Sequence, residues 1–245
     1  MTGQRTTMSN HQILNPADHG GLRINTEAGT DMGDAVMASL AVPAEFRRLA
    51  CEYPILFRHD LQSDTFSSLA LFGFEDGENL FLDGRAWDAS IKPLAMAIQP
   101  FLVGRGPDDA DTVQVHIDMG SPRISATGEG VRVFDDAGQP TPYAEQIIEM
   151  LGALDQGYRA SSAFFAALDR YELLEPFSMD VTLENGMQHR LVGYHMVDEA
   201  KVASLEPGAL AELHAAGHLA PLFMAMASLG NLGKLVRRKN RRVNG

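Results

Sequence analysis

Over the first half of the chain, apolar residues come in short runs or alternate with polar ones. Over the second half they recur at helical spacing. Pro43 to Ala50 reads as a short helix. YPILFRHD (53–60) and FSSLALFGF (66–74) are rich enough in β-branched and aromatic residues to form the two strands of a hairpin. Glu75-Asp76-Gly77 turns the chain into a third strand, NLFLDG (79–84), and Trp87 to Ile98 reads as a helix broken or kinked at Pro93. Gly104 to Asp111 is a loop, while VQVHIDM (113–119) and VRVF (131–134) read as strands. Thr141 is placed to cap a helix with Pro142 at its first position. Ile147, Ile148, Leu151 and Leu154 form the apolar face of that helix, and a second helix, Gly157 to Glu172, presents Phe164, Phe165, Leu168 and Tyr171. Pro176 stops it.

The segment FSMDVTLE-NG-MQHRLVGYHMV carries the strongest local signal. Asn185-Gly186 is the preferred pair for a two-residue type I′ turn. Such a turn pairs Leu183 with Gln188, Val181 with Arg190 and Met179 with Val192. Phe177, Met179, Val181, Val192 and Tyr194 then share the apolar face, and Ser178, Asp180, Thr182, His189 and His195 the polar one. Asp198 caps a short helix over 199–204; Pro207 to Ala216 and Pro221 to about Lys239 form two more. The fold class is α+β, mostly antiparallel sheet in the N-terminal two thirds with a helical C-terminal part. Residues 1–35, rich in Gly, Asn, Thr and Asp, are expected to form an irregular arm, and 36–245 a single domain ending in a basic helix (234–245).

Composition narrows the function classes. The 245 residues are 45% hydrophobic and 21% charged, which excludes collagen-like and low-complexity chains. The net charge is −12. Six of the 20 bases (Lys234, Arg237, Arg238, Lys239, Arg241, Arg242) fall in the last twelve residues, leaving 14 bases against 32 acids elsewhere, a net −18. Such a body repels phosphate backbones, so no nucleic-acid partner is expected; the tail reads as a solvated helix end. Cys51 is the only cysteine, so an intrachain disulfide and a multi-thiolate zinc site are excluded. The N-terminal residues lack the apolar core of a secretory signal. The longest apolar stretch, Leu219 to Leu229, is about half a membrane span. The expectation is a soluble, cytoplasmic protein without a membrane span.

Few side chains suggest chemistry. No phosphate-binding glycine loop and no nucleophile elbow is present. His214 and His218 have the spacing of a helical metal pair, but Ala215 stands where a zinc protease has its general base, and Gly217 ends the helix between them. Asp108, Asp109 and Asp111, and Asp135 and Asp136, lack the register of a calcium loop. Met224 and Met226 with Phe223, Leu222 and Leu229 read as core packing. His116 and Asp118, two apart on one strand, face the same way. With a distant third histidine, His195 or His189, they make the H-x-D…H set that holds Fe(II) in 2-oxoglutarate oxygenases.

Several blocks, in order, resemble the SapC family of bacterial proteins: YPILFRHD, GENLFLDGRAWDASIKPL, HIDMGSPRI, VFDDAGQPTPY, LLEPFSMDVTLENGMQHRLVGYHMVDEAKVASL and LHAAGHLAPLFMAMASLGNLGKLVRR, with a weaker echo at LNPADHGGLRI. The resemblance covers roughly residues 50–240. The chain keeps Trp87, Asp88, Pro93, Pro100 and Phe101 of that pattern and departs from it at Ile91, Met96 and Ala97. The family takes its name from a surface-array locus. Its members accompany surface-layer proteins and a secretion apparatus, and relatives are encoded near TonB-dependent receptors. The resemblance implies an accessory role in surface or envelope-linked systems, and it supplies no established catalytic residues to carry over.

Two readings follow. The first is a non-catalytic accessory or adaptor protein without a cofactor. It binds a protein or peptide partner through the block that holds Asn79, Trp87 and Asp88, unless Trp87 is a core anchor. The alternative is a non-haem Fe(II) and 2-oxoglutarate oxygenase with His116, Asp118 and His195 as ligands.

Overall fold

The computed structural model describes residues 10–105 and 113–244. The elements run β1 (His11–Ile13), α1 (Pro16–His19), β2 (Arg23–Ile24), β3 (Ala38–Leu40), a 3-10 turn (Pro43–Glu45) leading into α2 (Phe46–Leu49), β4 (Ile55–Asp60), β5 (Thr65–Leu71), β6 (Leu82–Asp83), β7 (Ala86–Trp87), α3 (Leu94–Ala97), β8 (Phe101–Arg105), β9 (Val113–Asp118), β10 (Val131–Arg132), α4 (Pro142–Arg170), β11 (Leu174–Thr182), β12 (Gln188–Val197), α5 (Glu199–Ala203), α6 (Pro207–Ala215), α7 (Leu219–Ser228) and α8 (Asn231–Asn244). Antiparallel sheets precede a helical C-terminal part, the expected α+β arrangement. The main sheet has five strands in the order β11-β12-β4-β5-β3, and a smaller one the order β1-β9-β8.

Two apolar cores result. One gathers Phe46, Tyr53, Phe57, Phe72, Phe81, Phe164, Leu168, Leu222 and Leu235 around the main sheet. The other gathers Ile24, Ile98, Phe101, Ile117, Val133, Ile147 and Leu151 around the smaller one. Helix α4 belongs to both. Its 29 residues, about 44 Å of helix, replace the two helices expected from sequence. Gly157, read as a helix start, lies inside it. A Cβ there would come within 2.7 Å of a Val42 methyl, so glycine permits the helix to run through. Ile148, expected on the apolar face, is exposed.

The chain from Asn10 onward is bound to the body rather than loose. β1 pairs with β9, β2 pairs with β10, and Ile24 and His19 are buried. The strand expected at 79–84 shrinks to the two-residue β6, paired with β7. The helix expected over 87–98 is only α3, which begins directly after Pro93 because proline supplies no interior donor. Gly104 and Arg105, expected in a loop, belong to β8; the rest of that expected loop, with Asp108, Asp109 and Asp111, lies outside the described residues. The last apolar helix starts at Leu219, earlier than expected, and breaks at Leu229-Gly230 into α7 and α8.

The β11–β12 hairpin differs from expectation by one residue. Leu183 N–H donates to the Met187 carbonyl (2.8 Å), and Thr182 opposes Gln188. The loop therefore has three residues, with only Gly186 at positive φ (83°). The Asn185 side chain instead accepts from Met187 N–H (3.0 Å), and α8 holds the Glu184 N–H through Asn240 (3.0 Å). A bulge between Phe177 and Met179 restores the expected Phe177–Tyr194 pair. Between turn and bulge the β11 side chains keep their expected faces, Val181 inward, while those of β12 change face relative to them. Val192, expected in the core, is 57% exposed, while Val181 opposes His189, whose side chain is buried.

Gly157→Ala is expected to lower stability by about 1–3 kcal/mol through overpacking against Val42. Gly152→Ala, in open space on the same helix, is expected to add up to about 1 kcal/mol. Urea unfolding midpoints of the two variants check this; equal signs would refute the close approach.

Candidate functional site

Strand β3 is short because the chain turns away. Its ladder with β5 ends at Leu40–Leu69, and one further bond, Ala41 N–H to the Ser68 carbonyl (3.0 Å), completes it. Pro43 then opens the 3-10 turn and cannot extend the strand. Strand β5 continues past this point. Thr65, Phe66 and Ser67 pair with β4 on one side and face no strand on the other. Main-chain groups alternate sides along an antiparallel strand. Since the Ser68 carbonyl points to the β3 side, so do the N–H and C=O of Phe66, two residues away, and these find no partner among the described residues.

Helix α4 walls off this edge. Tyr158, Ser161, Ser162, Phe165 and Asp169 recur at helical spacing along it, and with Leu40, Val42, Asp60, Asp64 and Phe66 they enclose a cleft of about 520 Å³. Its apolar floor is Phe66, Phe165 and Leu40; Tyr158 is 61% exposed at its rim. Three aspartates, Asp60, Asp64 and Asp169, line it, and among the described residues no lysine or arginine pairs with any of them. Among the described residues, Asp64 meets only the His59 ring (2.9 Å). Hydrogen bonds from Gln62 N–H and Ser63 hold the Asp60 carboxyl below the usual range. Behind Phe66 stands His195, edge-on to its ring at 5.2 Å and to His59 at 6.3 Å. Burial, and then His59, lowers the pKa of His195.

The residues expected at a partner surface lie elsewhere and are engaged internally. Asn79 is buried, donating to the Asp34 carbonyl (2.9 Å) and accepting from Phe81 N–H (2.9 Å). The Trp87 indole donates to Tyr53 Oη (2.8 Å), meets Phe72 edge-on at 5.2 Å and lies under the Lys92 ammonium at 4.9 Å. That is the core-anchor role. Burial pushes the Tyr53 phenol well above its ordinary value. Asp88 is exposed but ion-paired with Arg238 of α8.

The expected iron ligands are divided between the two sheets. His116 sits on β9, opposite Ile13 and Leu102, with its ring over Gly104. Asp118 Oδ1 accepts from Gly120 N–H (2.9 Å), whereas His195 is on β12 of the main sheet, opposite Phe57. No group of three or more His, Cys, Asp or Glu among the described residues is arranged to hold a metal ion. His214 and His218 are separated by Gly217 in the left-handed region (φ 74°), and the His218 ring packs on Phe164.

The basic tail, expected as a solvated end, turns half of its cations inward. Lys239 is buried and bridges Glu75 and Glu78, Arg238 binds Asp88, Arg242 donates to the carbonyls of Asn79 and Leu82, and Asn231 donates to those of Ala50 and Tyr53. Only Lys234, Arg237 and Arg241 remain as an outward row. Leu219–Asn244 also contains a stretch long and apolar enough, by length and composition, to cross a membrane. Here Leu222, Ala225 and Leu235 of that segment are buried against the body.

Sequence reading missed one further cluster. Asp34 is fully buried, and both its oxygens accept from Arg123 at 2.7 Å; Lys92 (3.1 Å) and Gly29 N–H (3.0 Å) complete its shell. Burial lowers the Lys92 pKa, and Asp34 opposes that shift. Only a lone acid between small and apolar residues signals Asp34 in the sequence. The cleft was missed for a different reason: it arises from where β3 stops relative to α4, which no local pattern encodes.

Taken together, this is an α+β protein with a cleft at an unfinished sheet edge and no gathered metal set among the described residues. A family model described as SapC matches residues 14–235. The chain therefore belongs to the SapC family. Searches of the curated proteins and of the solved structures return no match.

Trp87→Ala is expected to lower stability by about 2–4 kcal/mol, because it removes a ring packed on Phe72 and leaves the Tyr53 hydroxyl without its donor. A thermal midpoint equal to that of the native chain would return Trp87 to the role of a surface contact.

Proposed function

We propose that the protein is a non-catalytic accessory protein that binds a protein or peptide partner in the cleft between β5 and α4, in a surface-layer, secretion or envelope-uptake system. One observation carries the reading. Strand β5 presents main-chain groups at Phe66 that have no partner among the described residues, beside an aromatic floor, the arrangement that recognises a chain segment rather than a small metabolite alone. Family membership supports the accessory role, since the SapC resemblance implies company with surface and secretion components. In this reading no cofactor takes part. The acidic body disfavours nucleic acid, and the protein works in the cytoplasm, reaching the envelope through its partner.

A photo-crosslinking residue placed at Ser162, in the cleft, tests the reading in the source cell against the same residue at Ala86, beside Trp87. A discrete adduct is expected from position 162 and not from position 86. Its yield should fall about tenfold in a Tyr158→Ala/Phe165→Ala variant with unchanged circular dichroism. An adduct from position 86 alone, no adduct, or one indifferent to the double variant would refute the assignment.

A further inference from the structure

We infer that the cleft takes an extended, basic segment of the partner, which lies along the open edge of β5 as an added strand and places a lysine or arginine among Asp60, Asp64 and Asp169. The inference rests on the cleft being the partner site and goes on to name its occupant. Three features converge.

The main-chain chemistry comes first. Phe66 offers one N–H and one C=O on the edge that β3 leaves free, and a strand in that place donates to one and accepts from the other. A helix, whose main chain is already paired, satisfies neither group. A second copy of this chain, docking through the Lys234, Arg237 and Arg241 row, would present a helix and leave Phe66 unpaired.

Charge comes second. Three carboxylates line the cleft without a lysine or arginine partner among the described residues, on a body with a net charge of −18 outside the tail. The protein's own surplus cations do not answer them, because Arg238, Lys239 and Arg242 are spent on Asp88, on Glu75 and Glu78, and on main-chain carbonyls. An anionic occupant is repelled here; a basic one is steered in and paired.

The floor comes third. Phe66, Tyr158 and Phe165 are faces on which the methylene stem of a lysine, or an arginine guanidinium, packs while its charge reaches a carboxylate. Side chains of an added strand alternate, so a basic residue toward the aspartates has its neighbours turned away from them.

The test uses the full chain and a fluorescein-labelled peptide of alternating arginine and valine, with three comparisons: its glutamate–valine counterpart, the basic peptide N-methylated at alternate amides, and a protein with Asp64→Asn and Asp169→Asn. Anisotropy should report saturable binding of the basic peptide and none of the acidic one. Affinity should fall about tenfold with N-methylation and about tenfold in the double variant. Glu149→Gln with Glu206→Gln removes the same charge from exposed sites elsewhere and should change affinity less than about twofold. Hydrogen exchange should show new protection of the Phe66 amide. Equal loss in both charge variants, indifference to N-methylation, binding of the acidic peptide, or no binding would each overturn the inference. If the adduct from position 162 still forms and still depends on Tyr158 and Phe165, the cleft remains the partner site and only its occupant is wrong. If that adduct fails as well, both fall. Dimerisation in the ultracentrifuge that is abolished by Arg237→Glu, with loss of the adduct, would assign the cleft to a second copy and overturn both.

Discussion

The Asp34 carboxylate is the point on which the fold turns. An isolated ionised acid with no exposure is expensive to bury, and here the cost is met by groups from distant parts of the chain. Arg123 gives one nitrogen to both oxygens, and its other terminal nitrogen to the carbonyls of Asn25 and Glu27; Lys92 approaches one oxygen, and Asn79 donates to the Asp34 carbonyl. The N-terminal segment, the loop carrying Trp87 and the turn after β9 are thereby fixed at one place between the two cores. Apolar burial is non-directional and would tolerate several alignments of these segments. A buried ion cluster is more selective, because an alignment that separates its members leaves charge without a partner.

Helix α8 secures the same region from the other side. Lys239 between Glu75 and Glu78, and Arg238 on Asp88 with its guanidinium over Phe81, neutralise an acidic loop that would otherwise repel itself. Of the six bases behind the charge asymmetry so plain in the sequence, three, Arg238, Lys239 and Arg242, are thus spent on internal contacts. This moves the functional question elsewhere: Glu75, Glu78 and Asp88 are answered from within by α8, and among the described residues no lysine or arginine answers the aspartates of the cleft.

What the sequence made legible follows from the range of the forces involved. The β4–β5 hairpin, the Thr141 and Asp198 caps and β9 depend on neighbouring residues and were readable. The β11–β12 register was not, because α8 captures the Glu184 N–H and Asn185 adopts no positive φ, so a turn chosen locally is overridden by a helix more than fifty residues away. The continuity of α4 through Gly157 depends on Val42, and the shortness of β6 on packing around Asn79. The cleft is the extreme case. Asp60 and Phe66 lay in recognised strands, yet nothing local ties them to Tyr158 or Asp169.

An exposed strand edge invites the wrong partner, including another copy of itself, so an edge left open needs a reason and a safeguard. The safeguard here is charge. Asp60 and Asp64 flank the free stretch of β5, and Asp169 faces it from α4, so two such edges approaching each other would bring like charges together. The edge is also only three residues long and is enclosed by a helix on one side. Those features suppress indiscriminate pairing without closing the cleft, and the same aspartates that repel a second acidic edge attract a basic strand. Pro43 ends β3 early and Gly157 lets α4 close on Val42 beside that end. The fold thereby keeps a place for one more short strand and sets, through three carboxylates, the charge that strand must carry.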